Sequence, residues 1–201
     1  MQQHLVKGFS DPVQQAQQVF RQTLNALSEP GTQQSVTAEA VFPGLYPSTT
    51  ALLLTLLDQD TTVWLPEALN QPALVQNLTF HCGCPVVADQ AQAQFVVYDL
   101  DDFMRASVHD FAMGNDRYPD LSATVIVQLP AAAEPVASVW RGPGIEHQRD
   151  CALPIPHAFW AKRQALIAFP CGVDFLFTLE QAVFGLPRTT LIQSAEESVC
   201  M

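Results

Sequence analysis

The sequence of 201 residues predicts a single α/β domain, built as a three-layer α/β/α sandwich around a mixed sheet. Helical and strand patterns alternate along the whole chain, without repeats, low-complexity runs or a linker long enough to divide it. The strand candidates around residues 124–127 and 136–140 are almost continuously apolar, which is typical of a sheet covered on both faces. We therefore treat residues 1–201 as one domain.

The first element is an amphipathic helix from Pro12 to Leu27. Asp11 is suited to the N-cap and proline to the first helical position. Apolar residues recur in steps of three and four and predict one buried face: Val13, Ala16, Phe20, Leu24 and Leu27. The segment Ser28-Glu29-Pro30-Gly31 ends the helix, because proline cannot continue it and glycine supplies a turn. A short extended segment is expected at Gln34–Thr37.

The middle of the chain predicts two helices and two strands. A helix from Thr49 to Leu57 has almost no polar face, which suits the inside of a layered domain or an interface. Residues 67–79 are expected to be helical, with an interruption before Pro72, between strands at 61–65 and 95–98. The acidic stretch Asp99, Asp101 and Asp102 could hold magnesium, but it more often starts a helix, where the dipole favours negative charge.

The remaining elements follow a weakly helical stretch that reaches Met113. Strands are predicted at Thr124–Val127 and Val136–Trp140, separated by two prolines. A helix is then expected at Pro156–Ala168, followed by strands at Asp174–Leu179 and Ala182–Leu186.

Composition narrows the classes of function. Charged residues make up 14% of the chain and hydrophobic residues 48%, against about 25% charged in typical domains. Such a surface is comparatively easy to bury against a partner. The net charge of -11, with 9 scattered basic residues, excludes a nucleic-acid-binding module. No signal peptide or membrane span is evident, so we expect a cytoplasmic protein that binds neither nucleic acid nor membrane, with its five cysteines as free thiols.

No common catalytic or metal-binding motif stands out. The chain has neither a Walker phosphate loop nor a glycine fingerprint for dinucleotides. The stretch His81-Cys82-Gly83-Cys84 resembles a metal site most, but zinc sites space their cysteines further apart and need a second pair, so we predict no metal. We assign no catalytic role to the three histidines that lack a serine or cysteine partner in the sequence: His109, His147 and His157.

Two segments are candidates for binding an anionic ligand. Arg141, Gly142 and Gly144 place a guanidinium and two glycines at a strand end, where backbone amides could cradle an anion. The alternative, which we favour, is a tight turn. Arg188, Thr189 and Thr190 follow the last strand and could grip a phosphate or carboxylate, or equally cap an element or pair with an acid.

Several ordered segments carry a resemblance to a known family. They extend from about residue 10 to residue 190, and each is weak alone: Ser28-Glu29-Pro30-Gly31, residues 52–65, Phe80-His81, residues 142–145, residues 169–174 and residues 186–190. As an ordered set they resemble the PhnH family, a component of the bacterial carbon-phosphorus lyase core complex.

The resemblance implies a homodimer that joins PhnG, PhnI and PhnJ in phosphonate catabolism. Such a subunit is expected to support formation of a ribose-phosphonate triphosphate from ATP and an alkylphosphonate, without independent activity or a catalytic residue. The implied fold is similar to the large domain of pyridoxal-phosphate transferases. The only lysines are Lys7 and Lys162, in a frayed terminus and a surface helix, so we predict no cofactor. The alternative is a protein that holds a phosphonate or nucleotide through Arg141 and Arg188.

Overall fold

The computed structural model describes residues 5–194, which form a mixed α/β structure. The described part contains the following helices: α1 (Pro12–Ser28), α2 (Pro47–Leu56), α3 (Pro72–His81), α4 (Leu100–Arg105) and α5 (His157–Gln164). Its strands are β1 (Gln34–Ser35), β2 (Val63–Trp64), β3 (Phe95–Asp99), β4 (Met113–Asn115), β5 (Tyr118–Ser122), β6 (Thr124–Gln128), β7 (Val136–Arg141), β8 (Arg149–Leu153), β9 (Ile167–Ala168), β10 (Cys171–Gly172), β11 (Asp174–Leu179), β12 (Ala182–Leu186) and β13 (Leu191–Ser194).

The centre of the fold is a mixed sheet with strand order β1-β12-β11-β6-β3-β2. Strands β2, β3, β6 and β11 run parallel to one another, whereas β12 pairs antiparallel with β11 and β1 antiparallel with β12. The predicted mixed sheet is therefore confirmed. Among residues 5–194, no helix is both long and apolar enough to pass through a membrane.

Side chains from the central strands alternate between two hydrophobic clusters, one on each face of the sheet. Val97, Ile126 and Leu176 point to one face, where they pack with the apolar residues of α1, α2 and α3. Val96, Val125 and Phe175 point to the other face, where the cluster includes residues of α4, α5, β7 and β8. Because both faces are covered, the apolar runs of β6 and β11 are buried throughout their middle positions.

Helix α1 begins as predicted, but it buries a different face. Asp11 accepts a hydrogen bond from the backbone N–H of Gln14 at 3.1 Å. The buried residues are Val19, Thr23 and Ala26, whereas three residues of the predicted buried stripe are exposed: Val13 (80%), Phe20 (46%) and Leu24 (49%). The predicted stripe is wrong because α1 approaches β12 very closely, and only the face carrying small side chains fits against that strand.

Strand β7 does not join the central sheet. It forms a separate three-stranded antiparallel sheet with order β13-β7-β8 that covers part of one face. Strands β4, β5, β8 and β13 were not predicted, and α5 ends at Gln164, where the sequence had suggested Ala168. Residues 167–168 instead form β9, which pairs with β10. The second layer of helices is thus partly replaced by a small sheet.

Candidate functional site

Arg188 lies where the parallel strands of the central sheet begin, because β12 returns antiparallel to β11. Its backbone N–H donates to Asp174 Oδ1 at 2.7 Å, and its Nη2 donates to Asp174 Oδ2 at 2.7 Å. Nη1 donates to the carbonyls of Pro119 at 3.0 Å and Pro170 at 3.2 Å, and Nη2 also donates to the hydroxyl of Ser122. With Nε on Asp174 as well, every N–H of this guanidinium has an acceptor within the chain.

The segments that Arg188 ties together carry exposed apolar side chains. Tyr118 and Leu121 of β5 are 46% and 58% exposed, and Phe169, next to Pro170, is 77% exposed. We call these three residues the apolar patch. Because the carbonyls of Pro119 and Pro170 accept from the same nitrogen of Arg188, this arginine ties strand β5 to the segment that carries Phe169.

Arg141 ends β7, and its side chain is exposed. Its Nη2 donates to Gln148 Oε1 at 2.8 Å. The following Gly142 has a φ of 141° and packs against the next candidate segment: a Cβ placed there would lie 3.0 Å from the carbonyl oxygen of Thr189. The structure therefore brings together Gly142 and the Thr189-Thr190 pair, which the sequence had suggested separately.

Gly144 packs against the end of α1, which favours the predicted tight turn. It has a φ of 80°, and a Cβ at this position would collide with the carbonyl oxygen of Ser28. Arg149 reinforces the same region, since its Nη1 donates to the carbonyls of Glu29 at 3.0 Å and Pro30 at 2.6 Å. Three turns that are distant in sequence thus meet at one edge of the molecule.

Thr190 is buried beside Arg163 of α5, the helix that the sequence had suggested to lie at the surface. Arg163 is 3% exposed, and its Nη2 donates to the carbonyls of Pro187 and Thr190, each at 2.9 Å. Burial lowers the pKa of Arg163 to about 10, although the charge of Asp174 opposes this shift. The hydroxyl of Thr190 and the Nε of Arg163 are buried without a hydrogen-bond partner. The position of Arg163, four residues after the buried Phe159, was the signal that could have predicted its burial.

The two lysines have different environments. Lys7 is exposed. Lys162 is half-buried, and its Nζ donates to the carbonyls of Met104, at 3.0 Å, and Ala106. The ammonium also lies 5.1 Å from the centre of the Phe103 ring, and burial lowers its pKa. Lys162 thus satisfies carbonyl groups at the end of α4 and is less exposed than a residue of a surface helix.

A cleft of about 310 Å³ lies at the carboxyl ends of the parallel strands, whereas Arg188 lies near their amino ends. Ligands of open α/β sheets commonly bind at the carboxyl ends of the strands. Gln128 organises the cleft: its side chain accepts from the backbone N–H of Tyr46 at 2.7 Å and donates to Asp99 Oδ1 at 2.7 Å. Burial raises the pKa of Asp99, with a smaller contribution from the neighbouring Asp102 and Asp101. The sequence singled out these acidic residues, but it did not indicate that Gln128 binds Asp99.

The acidic stretch starts α4, which is the alternative we favoured. Asp99 is the N-cap residue, and Asp101 and Asp102 occupy the first turn. Within residues 5–194, no three or more side chains of histidine, cysteine, aspartate or glutamate come together as a metal site. His81 binds the carbonyl of Val6 through Nε2 at 2.8 Å. The four described cysteines are free thiols, and Cys200 lies outside the described residues.

Comparisons with known proteins agree with the resemblance seen in the sequence. Residues 7–193 match a family model described as "Bacterial phosphonate metabolism protein (PhnH)". A relative from Rhizobium meliloti (strain 1021) is 34% identical over 191 residues, which cover 92% of this chain and 94% of the relative. It is named "Alpha-D-ribose 1-methylphosphonate 5-triphosphate synthase subunit PhnH".

A second relative comes from Stutzerimonas stutzeri. It is 30% identical over 179 residues, which cover 88% of this chain and 85% of the relative. Its name is "Putative C-P lyase subunit protein HtxG". Both names describe a subunit, so the similarity extends over proteins that work as parts of a larger assembly.

Proposed function

Because this chain belongs to the PhnH family of bacterial phosphonate metabolism proteins, we propose that it is a subunit of a carbon-phosphorus lyase complex. Its role is to support formation of the ribose-phosphonate triphosphate from ATP and an alkylphosphonate. The single observation that carries this proposal is the similarity over residues 7–193 to a family whose named relative is a synthase subunit. We further propose that it acts in the cytoplasm, as a homodimer together with PhnG, PhnI and PhnJ.

Arg188, for which the sequence left open either anion binding or pairing with an acid, supports a structural role in this assembly. Arg188 donates to Asp174, Ser122 and two carbonyls, and so fixes the two segments that carry the apolar patch. Exposed apolar side chains on segments that are held in place suit a docking surface for another subunit. We therefore propose that Arg188 acts on the complex by shaping a contact surface.

Reconstitution tests the proposed function. The chain is co-expressed with PhnG, PhnI and PhnJ, and the purified material is supplied with ATP and methylphosphonate. We expect one particle on size exclusion and release of adenine that depends on this chain. A chain that elutes separately from the other three, or adenine release by the isolated chain, would contradict a supporting role.

The apolar patch gives this test a matched pair of variants. Leu121→Asp places a charge on an exposed position of the patch, and Val13→Asp does the same on the exposed face of α1. If the patch is the docking surface, Leu121→Asp weakens assembly while the isolated protein stays folded, and Val13→Asp does not. Equal assembly by both variants would exclude the patch as the contact.

A second candidate function is supported by the contact between Gly142 and Thr189-Thr190, together with the unpartnered hydroxyl of Thr190. In this proposal, Arg141, Gly142, Gly144, Arg188, Thr189 and Thr190 hold a phosphonate or nucleotide. Arg141 is the informative residue, because its guanidinium is exposed and has one partner, Gln148. Calorimetric titration with ATP and with methylphosphonate should show saturable binding that Arg141→Ala abolishes; no heat of binding for either ligand would remove this candidate.

A further inference from the structure

An apolar groove lies on the outer side of α3 and shares no residue with the apolar patch. It has a volume of about 330 Å³ and is lined by the following residues, which we call the α3 face: Leu5, Val75, Gln76, Thr79 and Phe80. Phe80 is 68% exposed and Leu5 is 37% exposed, whereas Leu74 and Leu78 of the same helix are buried in the core. The α3 face thus presents a protruding aromatic ring and a groove side by side.

Hydrogen bonds and ring contacts hold the α3 face in place. The N–H of Val6 donates to Asn77 Oδ1 at 2.9 Å, and the carbonyl oxygen of Val6 lies 2.8 Å from His81 Nε2. The His81 ring stacks on Phe42 with the ring centres 5.6 Å apart, and the Phe80 ring meets His81 edge-on at 4.9 Å. Because Phe80 is supported on one side, burying it against a partner costs less side-chain entropy than burying a free side chain.

This side of the molecule is almost free of charge. Helices α2 and α3 contain no aspartate, glutamate, lysine or arginine, and α1 contains one such residue, Arg21. Among residues 5–10 there is also one, Lys7. A chain with a net charge of -11 repels a copy of itself. The repulsion between two copies is weakest when they meet through a surface that carries no acids.

The apolar patch differs from the α3 face in this respect. Strand β5 follows Asp116 and contains Asp120, and both side chains are exposed. Two copies that met through the apolar patch would therefore bring equal charges close together, which disfavours the contact. The two surfaces suit different partners, and the α3 face is the one that suits a second copy of this chain.

We propose that two copies of this chain form a homodimer through the α3 face, with Phe80 of each copy in the groove of the other. A twofold interface uses the same surface on both copies, so that surface must fit itself. The α3 face meets this condition because its ring and its groove are adjacent and uncharged. Aromatic residues are enriched in the centres of such interfaces, and charged residues are depleted. The inference rests on the homodimer included in the proposed function, but it needs no other subunit.

Self-association of the isolated full-length chain is the first test. Light scattering after size exclusion and sedimentation velocity give the mass of the particle over a range of concentrations. A contact made by one short helix and residues 5–10 lies at the small end of stable interfaces. We therefore expect a particle of twice the mass of one chain that dissociates on dilution. A chain that stays monomeric at the highest concentration would overturn the proposal.

A matched pair of variants locates the contact. Phe80→Asp places a charge at its centre and should weaken dimerisation at least about tenfold. Leu191 on β13 is also 68% exposed and is not part of the α3 face, so Leu191→Asp should dimerise like the unmodified chain. Circular dichroism checks that both variants are folded. Equal dimerisation by the two variants would contradict the proposed interface.

Thr79→Arg provides an independent test at a second exposed position of the α3 face. Alone, it places like charges on both sides of a twofold contact and should also weaken dimerisation. Mixed with Phe80→Asp, it should recover a dimer, because the new carboxylate of one copy meets the new guanidinium of the other. A mixture that stays monomeric would contradict the placement of Phe80 in the groove of the partner.

Co-expression with the other subunits of the proposed complex separates a second copy from a different occupant. If the α3 face binds another subunit, Phe80→Asp should dimerise normally but fail to join the complex, and this result would overturn the proposal. If the function proposed above is wrong, adenine release fails in the reconstitution, whereas the self-association of the isolated chain is unaffected. The two proposals can therefore fail separately.

Discussion

The interaction of Arg188 with Asp174 offers a quantitative test of the structure. Removing one partner of a buried, hydrogen-bonded ion pair costs about 3–5 kcal/mol. The side chains of Arg188 and Asp174 are 14% and 27% exposed, so water can partly replace the lost contacts. For Arg188→Ala we therefore expect the free energy of unfolding to fall by about 3 kcal/mol, the lower end of that range.

Urea denaturation measures this loss, since the midpoint should fall while the slope stays constant. For a chain of this size, about 3 kcal/mol corresponds to a melting temperature lower by about 6–12 °C. Arg188→Lys keeps the charge but loses the planar fork, and should cost about 1–2 kcal/mol. Arg141→Ala is the matched control: its side chain is exposed, and we expect a change within about 0.5 kcal/mol. A loss below about 1 kcal/mol for Arg188→Ala would refute the structural role of the pair.

Three further predictions concern single positions. Asp99→Asn should stabilise the protein at neutral pH, because burial raises the pKa of Asp99 and its negative charge therefore destabilises the folded state above that pKa. In urea denaturation, the advantage of the variant should vanish as the pH falls below the ordinary aspartate pKa of about 3.9, where the carboxyl is neutral in both the folded and the unfolded state. Gly185→Ala should destabilise by at least about 2 kcal/mol in the same assay, because the new methyl would collide with the backbone of Ala26 in α1; an unchanged midpoint would contradict that close approach. Thr190→Val should be neutral or stabilising by up to about 1 kcal/mol on thermal unfolding, since the buried hydroxyl has no partner, and a marked loss would show that the hydroxyl is bound.

The strands of the central sheet were the easiest part of the fold to predict. Residues 125–127 and 175–177 are continuously apolar because both faces of their strands are covered. A short run of this kind, rich in β-branched and aromatic residues, favours a buried strand. The start of α1 was equally clear, because Asp11 and Pro12 act through local geometry. These signals depend on neighbours in the sequence, so a single chain suffices to find them.

Other features depend on contacts that the sequence does not record. The periodicity of α1 suggested a face containing Phe20 and Leu24, but the close packing against Gly185 of β12 selects the face with Ala26. Strand β7 was expected in the central sheet, but it pairs with β8 and β13 and so belongs to a separate sheet. In both cases a distant strand decided the outcome.

The candidate site likewise contains residues that the sequence indicated and residues whose roles depend on distant contacts. The sequence identified Arg188 and offered an acid as one possible partner, but it could not say that Asp174 at the start of β11 was that acid. It missed the buried Arg163, for which the spacing of four residues from Phe159 was the available local signal. It also missed the Gln128 that holds Asp99, because nothing in the sequence around Gln128 shows that tertiary contacts enclose it.

The short strands at the margins of the central sheet restrict how other chains can bind. Strand β1 and strand β2 each contain two residues, and β2 is additionally bridged on its outer side by Val86. Neither margin offers a long row of free backbone groups for an added strand. Recognition by main-chain pairing at this sheet is therefore disfavoured, and so is the fibrous aggregation that begins with it. At this sheet, neighbouring proteins must instead contact side chains displayed by helices and loops, which makes binding there sensitive to single surface substitutions.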